Sequence, residues 1–267
     1  MEILSYSFFK NALLGVLFVS IAAGIIGTYV VSRRMVFITG GITHACFGGL
    51  GLGFFLGINP IAMAAVFAIA AATGVEWMST RQNVRQDSAI GVIWALGMAL
   101  GTLFIFLSPG YVPELTSFLF GNVLTITSTD IILFAAYLVV LLAFFAVFYP
   151  QILLCAFDPD FAATRRLRVS AINLAMTIMI AICIVLTIRL IGIMLLMSLL
   201  TMPQMIAEMF TNRFHHMMII SSLVSIACSV LGIFCSYWIA VPASATIVLT
   251  LVAAYAVARI IRIIKAS

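Results

Sequence analysis

A single histidine, His44, stands inside an apolar, glycine-rich stretch that reads MVFITGGITHACFGGLGLGFFLG over residues 35–57. An imidazole at membrane depth is costly unless it faces a cavity, a polar partner or a metal ion. Gly40 and Gly48 stand four residues before and after it, so on a helix they leave the space beside the ring free of bulk. The pattern favours a histidine that lines or ligates an ion pathway. The alternative is a packing histidine that bonds a neighbouring helix.

Two more polar side chains, Gln204 and Glu208, lie in the apolar stretch LLTMPQMIAEMF over residues 199–210. They are four residues apart and therefore share a helix face, and Pro203 before them breaks the helix and frees backbone carbonyls. A two-fold dimer would offer two such carboxylates and two imidazoles to a divalent cation, and these donors suit zinc, manganese or iron. In the alternative interpretation, Glu208 lies at the cytoplasmic end and pairs with Arg213.

The composition of the chain is that of an integral membrane protein. Of its 267 residues 65% are hydrophobic and 8% are charged, and the mean hydropathy is +1.29, whereas about a quarter of the residues in a soluble protein are charged. The apolar runs are too long and continuous for barrel strands, which leaves helices as the spanning elements. The sequence therefore predicts an all-α, polytopic helical bundle that forms a single transmembrane domain over residues 1–267.

The apolar runs define nine predicted spans, each close to the roughly 20 residues that cross the hydrocarbon core. They cover residues 11–32, 35–57, 60–79, 88–108, 130–149, 170–188, 190–210, 217–238 and 241–264. Arg189 alone is too short a turn between the sixth and seventh spans, so TIRLIG (187–192) is expected to supply it by shortening both helices. An eight-span arrangement with one bent helix is the alternative.

The distribution of basic residues predicts the orientation. With the N-terminus outside, nine spans place eleven of the thirteen Lys and Arg residues on the inner side, as cytoplasmic loops require. Lys10 and Arg189 are the exceptions, and Glu2 and Glu114 fall outside. We therefore predict an outer N-terminus and an inner C-terminus, with Glu114 as a candidate contact for an outer partner and Asp130 as an outer helix cap.

Small residues recur at every fourth position of the second span. They are Gly41, Ala45, Gly49, Gly53 and Gly57. Such a stripe lets neighbouring helix backbones approach closely, so Gly49, Gly53 and Gly57 are predicted to be helix-packing positions.

The inner segment near residues 157–168 has the features of a short amphiphilic helix. An acidic N-cap with proline in the first turn begins it, and arginines follow at its C-terminal end, where they suit the helix dipole. The candidate contact residues are Asp158, Pro159, Asp160, Phe161, Ala162 and Arg165. Two interpretations fit this segment: a connector anchored to anionic lipid, or a docking helix for a cytoplasmic partner.

Five motifs, in order, resemble the membrane subunits of ABC importers for zinc, manganese and iron. They are HACFGG (44–49), DSAIGVIWALGMALG (87–101), FLFGNVL (118–124), FDPDFA (157–162) and RLIGIMLLMSLLTMP (189–203). The resemblance runs from about Ala12 to the C-terminus and implies a permease of the bacterial cytoplasmic membrane whose substrate is a divalent metal ion. It also favours docking, because in that family the segment that matches FDPDFA is the coupling helix that fits a groove in the ATPase subunit.

The sequence contains no GxxxxGK[ST] phosphate loop, the motif that cradles the phosphates of ATP. We therefore expect no enzyme activity in this chain and ATP hydrolysis on a separate subunit. The resemblance further implies two permease copies, two ATPase subunits and an extracytoplasmic metal-binding protein that delivers the ion. No permanently bound cofactor and no nucleic-acid partner are expected.

The chain departs from the usual pattern of this family at three places. The family motif usually has an aspartate four residues before the histidine and a proline four after it, where this chain has Gly40 and Gly48. The family usually has a glycine at the position of Arg166, and small residues rather than Gln204 and Glu208 after the proline. Loss of the aspartate removes a hard oxygen ligand, so another group must supply the charge or the ion is held less tightly.

Other classes of membrane protein fit the sequence less well. Ion-coupled secondary transporters often show inverted repeats and paired broken helices, and this chain has no clear internal duplication. Siderophore and cobalamin ABC permeases generally have more spans. An intramembrane enzyme would need a motif such as HExxH or GxSxG on a span, and none is present.

Overall fold

The computed structural model describes residues 7–82, 84–108, 121 and 126–266. These residues form helices and no strand, as the composition predicts. The helices are α1 (Ser7–Ser32), α2 (Val36–Leu56), α3 (Pro60–Arg81), α4 (Gln86–Leu107), α5 (Ser128–Phe157), α6 (Pro159–Thr164), α7 (Val169–Ile191), α8 (Ile193–Leu199), α9 (Met202–Phe210), α10 (Phe214–Ile239) and α11 (Ala243–Ala266). Glu2, Glu114 and most of the FLFGNVL motif lie outside the described residues.

Nine helical segments within the described residues are long and apolar enough to cross a membrane. They correspond one to one with the nine predicted spans, the seventh being the pair α8 and α9, which together cover Ile193–Phe210. The prediction of an all-α polytopic membrane protein is therefore confirmed.

Helix α5 is longer than its sequence predicts. The predicted span ends at residue 149, but α5 continues through Pro150 to Phe157 and has 30 residues, although proline usually ends a helix. Membrane helices tolerate an internal proline because neighbouring groups satisfy the freed backbone carbonyl. At 1.5 Å per residue the helix is about 45 Å long, against about 30 Å of hydrocarbon, so one end extends beyond the bilayer core.

The junction between the sixth and seventh spans is tighter than expected. Helix α7 reaches Ile191, and Gly192 alone separates it from α8. Gly192 has φ 79° and ψ 172°, a backbone conformation open only to glycine, so one residue makes the break and α7 is not shortened. Gly121 lies directly against this break, since a Cβ on it would stand 2.4 Å from the Gly192 nitrogen.

The residues form two compact units. The first comprises Met1–Arg34, Leu115–Leu141 and Leu186–Ser267; the second comprises Met35–Glu114 and Leu142–Val185. Within the first, α1 packs along α10, where the Thr28 and Ser221 hydroxyls are 3.3 Å apart. Within the second, α2 packs against α3 and α4. A single permease domain over residues 1–267 stays a prediction.

Glycines bring the backbones of the second unit into contact. A Cβ at Gly49 would stand 2.4 Å from the Met63 carbonyl oxygen, and one at Gly53 would stand 2.6 Å from the Pro60 Cα, so these two positions face α3. Gly57 differs from the prediction: no atom lies within 4 Å of its Cβ position. It has φ 67° and is the left-handed C-cap of α2, which is a different reason for glycine.

Candidate functional site

His44 lies near the middle of α2 and is half-buried. Its Nδ1 atom is buried, and no hydrogen-bonding group of the described chain reaches it. The glycines at i−4 and i+4 are both buried, so the ring is not crowded by side chains from its own helix. A buried polar atom normally has a hydrogen-bond partner, and a missing one marks an atom left for another ligand or for water.

The imidazole of His44 is stacked on the indole of Trp94 from α4. The two ring centroids are 4.3 Å apart and the planes are inclined by 14°. Phe47, one turn further along α2, lies at 5.7 Å with a tilt of 31°. The ring is therefore oriented by aromatic packing rather than by a hydrogen bond.

Trp94 was not predicted from the sequence as a site residue. Its only signal is a tryptophan inside the DSAIGVIWALGMALG motif, and helical periodicity says which face a residue occupies but not which neighbouring helix lies opposite.

Gln204 is fully buried at the start of α9, immediately after Pro203. Its amide nitrogen donates to the Ala23 carbonyl of α1 at 2.7 Å and to the Leu199 carbonyl at 3.2 Å. A Cβ at Gly27 would stand 2.3 Å from that nitrogen, so Gly27 makes room for the amide. The amide oxygen of Gln204 has no partner among the described residues. Gln204 thus anchors the break between α8 and α9 to α1. Pro203 was predicted to make this break.

Glu208 lies one turn after Gln204 on α9 and is exposed. No ion pair joins Glu208 to a described basic residue, so the alternative pairing of Glu208 with Arg213 is not seen. Gln204 and Glu208 belong to the first unit, whereas His44 belongs to the second. No group of three or more His, Cys, Asp or Glu side chains among the described residues is placed to hold a metal ion.

The predicted short helix is α6, and its residues form one exposed surface. The Asp158 carboxylate accepts a hydrogen bond from the Phe161 amide at 2.9 Å, and Pro159 occupies the first turn, as the sequence predicts. The Phe161 side chain is 44% exposed, and the guanidinium carbon of Arg165 lies 5.2 Å from its ring centroid. Ala162 faces inward with no exposed area. We call the surface formed by Phe157, Asp160, Phe161 and Arg165 the α6 surface.

Arg166 ends this helix in a left-handed conformation, with φ 58°. The Arg166 amide donates to the Ala163 carbonyl at 3.0 Å, and the Leu167 amide donates to the Ala162 carbonyl at 3.1 Å. This pair of hydrogen bonds is the Schellman motif, whose left-handed position is usually a glycine. The chain therefore keeps the turn in which a glycine is expected, although an arginine occupies it.

Replacing Arg166 with glycine should stabilise the end of α6 by roughly 0.5–1 kcal/mol, because glycine adopts the left-handed conformation without a Cβ clash. Hydrogen exchange of the Leu167 amide should slow by about two- to fivefold. Arg166→Ala is the matched control, since it removes the same charge but keeps the Cβ, and it should give no protection. Equal protection in both variants would show that charge, not backbone conformation, limits this turn.

Asp130 and Arg189 form an ion pair in the first unit. The Arg189 Nε atom lies 2.7 Å from Asp130 Oδ1, and Asp130 is only 8% exposed. The other carboxylate oxygen accepts from the amide and the hydroxyl of Thr127 at 3.1 and 2.7 Å, so Asp130 caps α5 as predicted. Arg189, an exception to the predicted charge distribution, therefore has an acidic partner at the end of another helix.

The sequence and the fold of this chain are similar to those of known membrane proteins. The model of the ABC 3 transport family matches residues 5–262. An uncharacterized membrane protein of Synechocystis is 36% identical, with 95% of this chain and 90% of that protein aligned. A manganese transport system membrane protein of Listeria monocytogenes is 28% identical over 92% of this chain and 88% of its own length. Among solved structures, PsaBC from Streptococcus pneumoniae in complex with Fab matches with a TM-score of 0.84 and 27% identity, over 96% of this chain and 92% of that one.

Proposed function

This chain belongs to the ABC 3 transport family, and on that premise we propose that it is the membrane permease subunit of an ATP-driven importer for divalent metal ions. The match over residues 5–262 carries the proposal, because it covers nearly the whole chain. Relatives named for manganese transport point to manganese or a similar ion. Zinc and iron use the same nitrogen and oxygen donors, so they stay within the proposed substrate class.

The chain is a multi-pass transport permease, and we propose that it has no enzyme activity of its own and that a separate cytoplasmic subunit hydrolyses ATP. The sequence has no phosphate loop of its own. The proposed orientation, with the N-terminus outside and the C-terminus inside, puts the arginine-rich segments and α6 in the cytoplasm. An extracytoplasmic metal-binding protein and a second copy of the permease complete the proposed assembly.

The α6 surface is the proposed contact with the ATPase. Its aromatic side chains are exposed at the end of α5 and on α6, and exposed aromatic and arginine side chains are those that contribute most to protein interfaces. Capping at both ends holds the six-residue helix in a fixed conformation. A fixed surface loses little entropy on binding, which suits a helix that must transmit a movement.

His44 is the proposed pathway residue with the strongest structural support. Its buried, unpartnered nitrogen and its glycine neighbours leave the ring available to an ion. Glu208 stays a proposed pathway residue because its exposed carboxylate is not engaged by a described basic residue. Gln204 can contribute only its free amide oxygen, since its nitrogen already bonds two carbonyls.

The test is metal uptake by proteoliposomes that contain the permease and its ATPase subunit, with the extracytoplasmic metal-binding protein supplied on the outer side. We expect uptake of Mn²⁺ or Zn²⁺ only when ATP is available to the ATPase, and no uptake with a hydrolysis-deficient ATPase. Proton and sodium gradients imposed without ATP are the controls. Uptake driven by either gradient alone would refute the proposal and favour a secondary transporter.

A further inference from the structure

The orientation of the His44 ring depends on an unusual kind of support. A histidine that ligates a metal almost always donates its second ring N–H to a carboxylate, a carbonyl or water, which fixes the plane of the ring. In the described residues no such hydrogen bond holds His44, and its Nδ1 atom is buried without a partner. Among the described residues, the indole of Trp94 is stacked on the ring, with the centroids 4.3 Å apart and the planes inclined by 14°.

The contact is set by the approach of two helix backbones. A Cβ at Gly97 of α4 would stand 2.4 Å from the Ala45 Cα and 3.0 Å from the His44 carbonyl oxygen, so α4 touches the backbone of α2 beside the histidine. Trp94 precedes Gly97 by three residues and lies on the same face of α4. The indole is therefore placed against the imidazole by main-chain packing and not by a flexible loop.

We propose that Trp94 is a positioning residue for His44, which holds the imidazole plane by stacking so that its nitrogens are presented to the passing ion. The proposal rests on the proposed role of His44 in the pathway. Stacking fixes the plane without using either nitrogen as a donor or acceptor. An offset aromatic pair is stabilised beyond its buried area, so stacking favours one orientation of a ring that no hydrogen bond holds.

The first experiment measures the concentration dependence of Mn²⁺ uptake by the reconstituted permease–ATPase complex. Trp94→Leu keeps an apolar side chain but removes the flat face, and it should raise the KM about tenfold, as loss of a group that orients a ligand does. Trp94→Phe keeps a flat ring and should stay within about threefold of the wild type. A merely structural role would lower the amount of active complex, and hence the maximal rate, but not the KM.

Trp77 provides the matched control. It belongs to the same unit, on α3, and is 55% exposed. Trp77→Leu should leave the KM unchanged. If His44→Ala abolishes uptake but Trp94→Leu has the wild-type KM, the positioning role of Trp94 is wrong. The proposed role of His44 would then be unaffected. Full uptake by His44→Ala would instead refute the proposed pathway residue, and this inference with it.

A second measurement does not require the leucine variant to fold. The chain has three tryptophans, so the double variant Trp77→Phe and Trp238→Phe leaves Trp94 as the only one. In the permease reconstituted without its ATPase, so that no other tryptophan contributes, Mn²⁺ should quench its fluorescence saturably. Adding His44→Ala should remove that saturable quenching. A transport-competent single-tryptophan protein whose emission does not respond to Mn²⁺ would overturn the proposal.

Discussion

Replacing His44 with alanine should lower ATP-driven metal uptake by about 100-fold or more. Changes to groups that merely orient a metal ligand already reduce metal affinity or activity by roughly 10- to 100-fold, and His44 is proposed to contact the ion itself. The expected cause is the loss of the imidazole from a stretch of α2 that carries glycines at i−4 and i+4 and has no second histidine and no carboxylate. The measurement is the initial rate of Mn²⁺ uptake per assembled complex.

Assembly must be followed in the same samples. His44 is half-buried and makes no hydrogen bond that alanine would break, so the variant should still co-purify with the ATPase and retain basal ATP hydrolysis. His215→Ala is the matched control, because it removes an exposed imidazole at the start of α10 and should leave uptake unchanged. Undiminished uptake by the His44 variant would remove this residue from the pathway.

The proposed pathway has no carboxylate beside His44 on α2. Gly40 stands where the resembled family usually has an aspartate, so each copy offers a neutral nitrogen donor without the paired carboxylate. Neutral nitrogen donors alone do not offset the desolvation of a divalent cation, which predicts looser binding and fast release. Glu208 and the Gln204 amide oxygen belong to the other unit and stay separate candidates for oxygen donors.

The sequence predicts the spans well because hydrophobic length alone decides them. All nine predicted runs correspond to helices, and the short helix at Asp158 follows from an N-cap and a proline at its start. The exceptions are backbone details. Pro150 does not end α5, since the rest of the helix and its surroundings outweigh one lost hydrogen bond, and Gly192 alone makes a break for which six residues were expected.

Partners across helices were not predictable from one sequence. The stacking of Trp94 on His44 and the pairing of Asp130 with Arg189 both join residues of different helices. Each depends on the direction and depth at which two helices cross, which periodicity does not specify. Gln204 shows the same limit: its position after Pro203 suggested a pathway residue, and the bond to the Ala23 carbonyl that occupies its nitrogen is visible only in the structure.

The α6 surface, in contrast, could be predicted, because its cap and its exposed residues lie within one short stretch of sequence. The second large effect that we expect is on this surface. Phe161→Ala should reduce ATP-driven uptake by about tenfold or more, since truncation of a central interface aromatic costs roughly 2 kcal/mol or more of binding free energy. The backbone of α6 should survive the change, because Asp158 caps it through the Phe161 amide and not through the ring. The ATPase should also dissociate from the purified variant complex at a lower salt concentration than from the wild-type complex.

The comparison that isolates docking uses another exposed phenylalanine. Phe106, at the end of α4, is 88% exposed, and Phe106→Ala removes the same side chain far along the chain from α6. It should leave uptake and ATPase binding unchanged, while Phe161→Leu, which keeps apolar bulk, should recover part of both. If Phe161→Ala binds the ATPase and transports like the wild type, α6 is a lipid-anchored connector, as the arginines after it also allow. Loss of ATPase binding together with uptake would instead identify α6 as a docking contact for the ATPase.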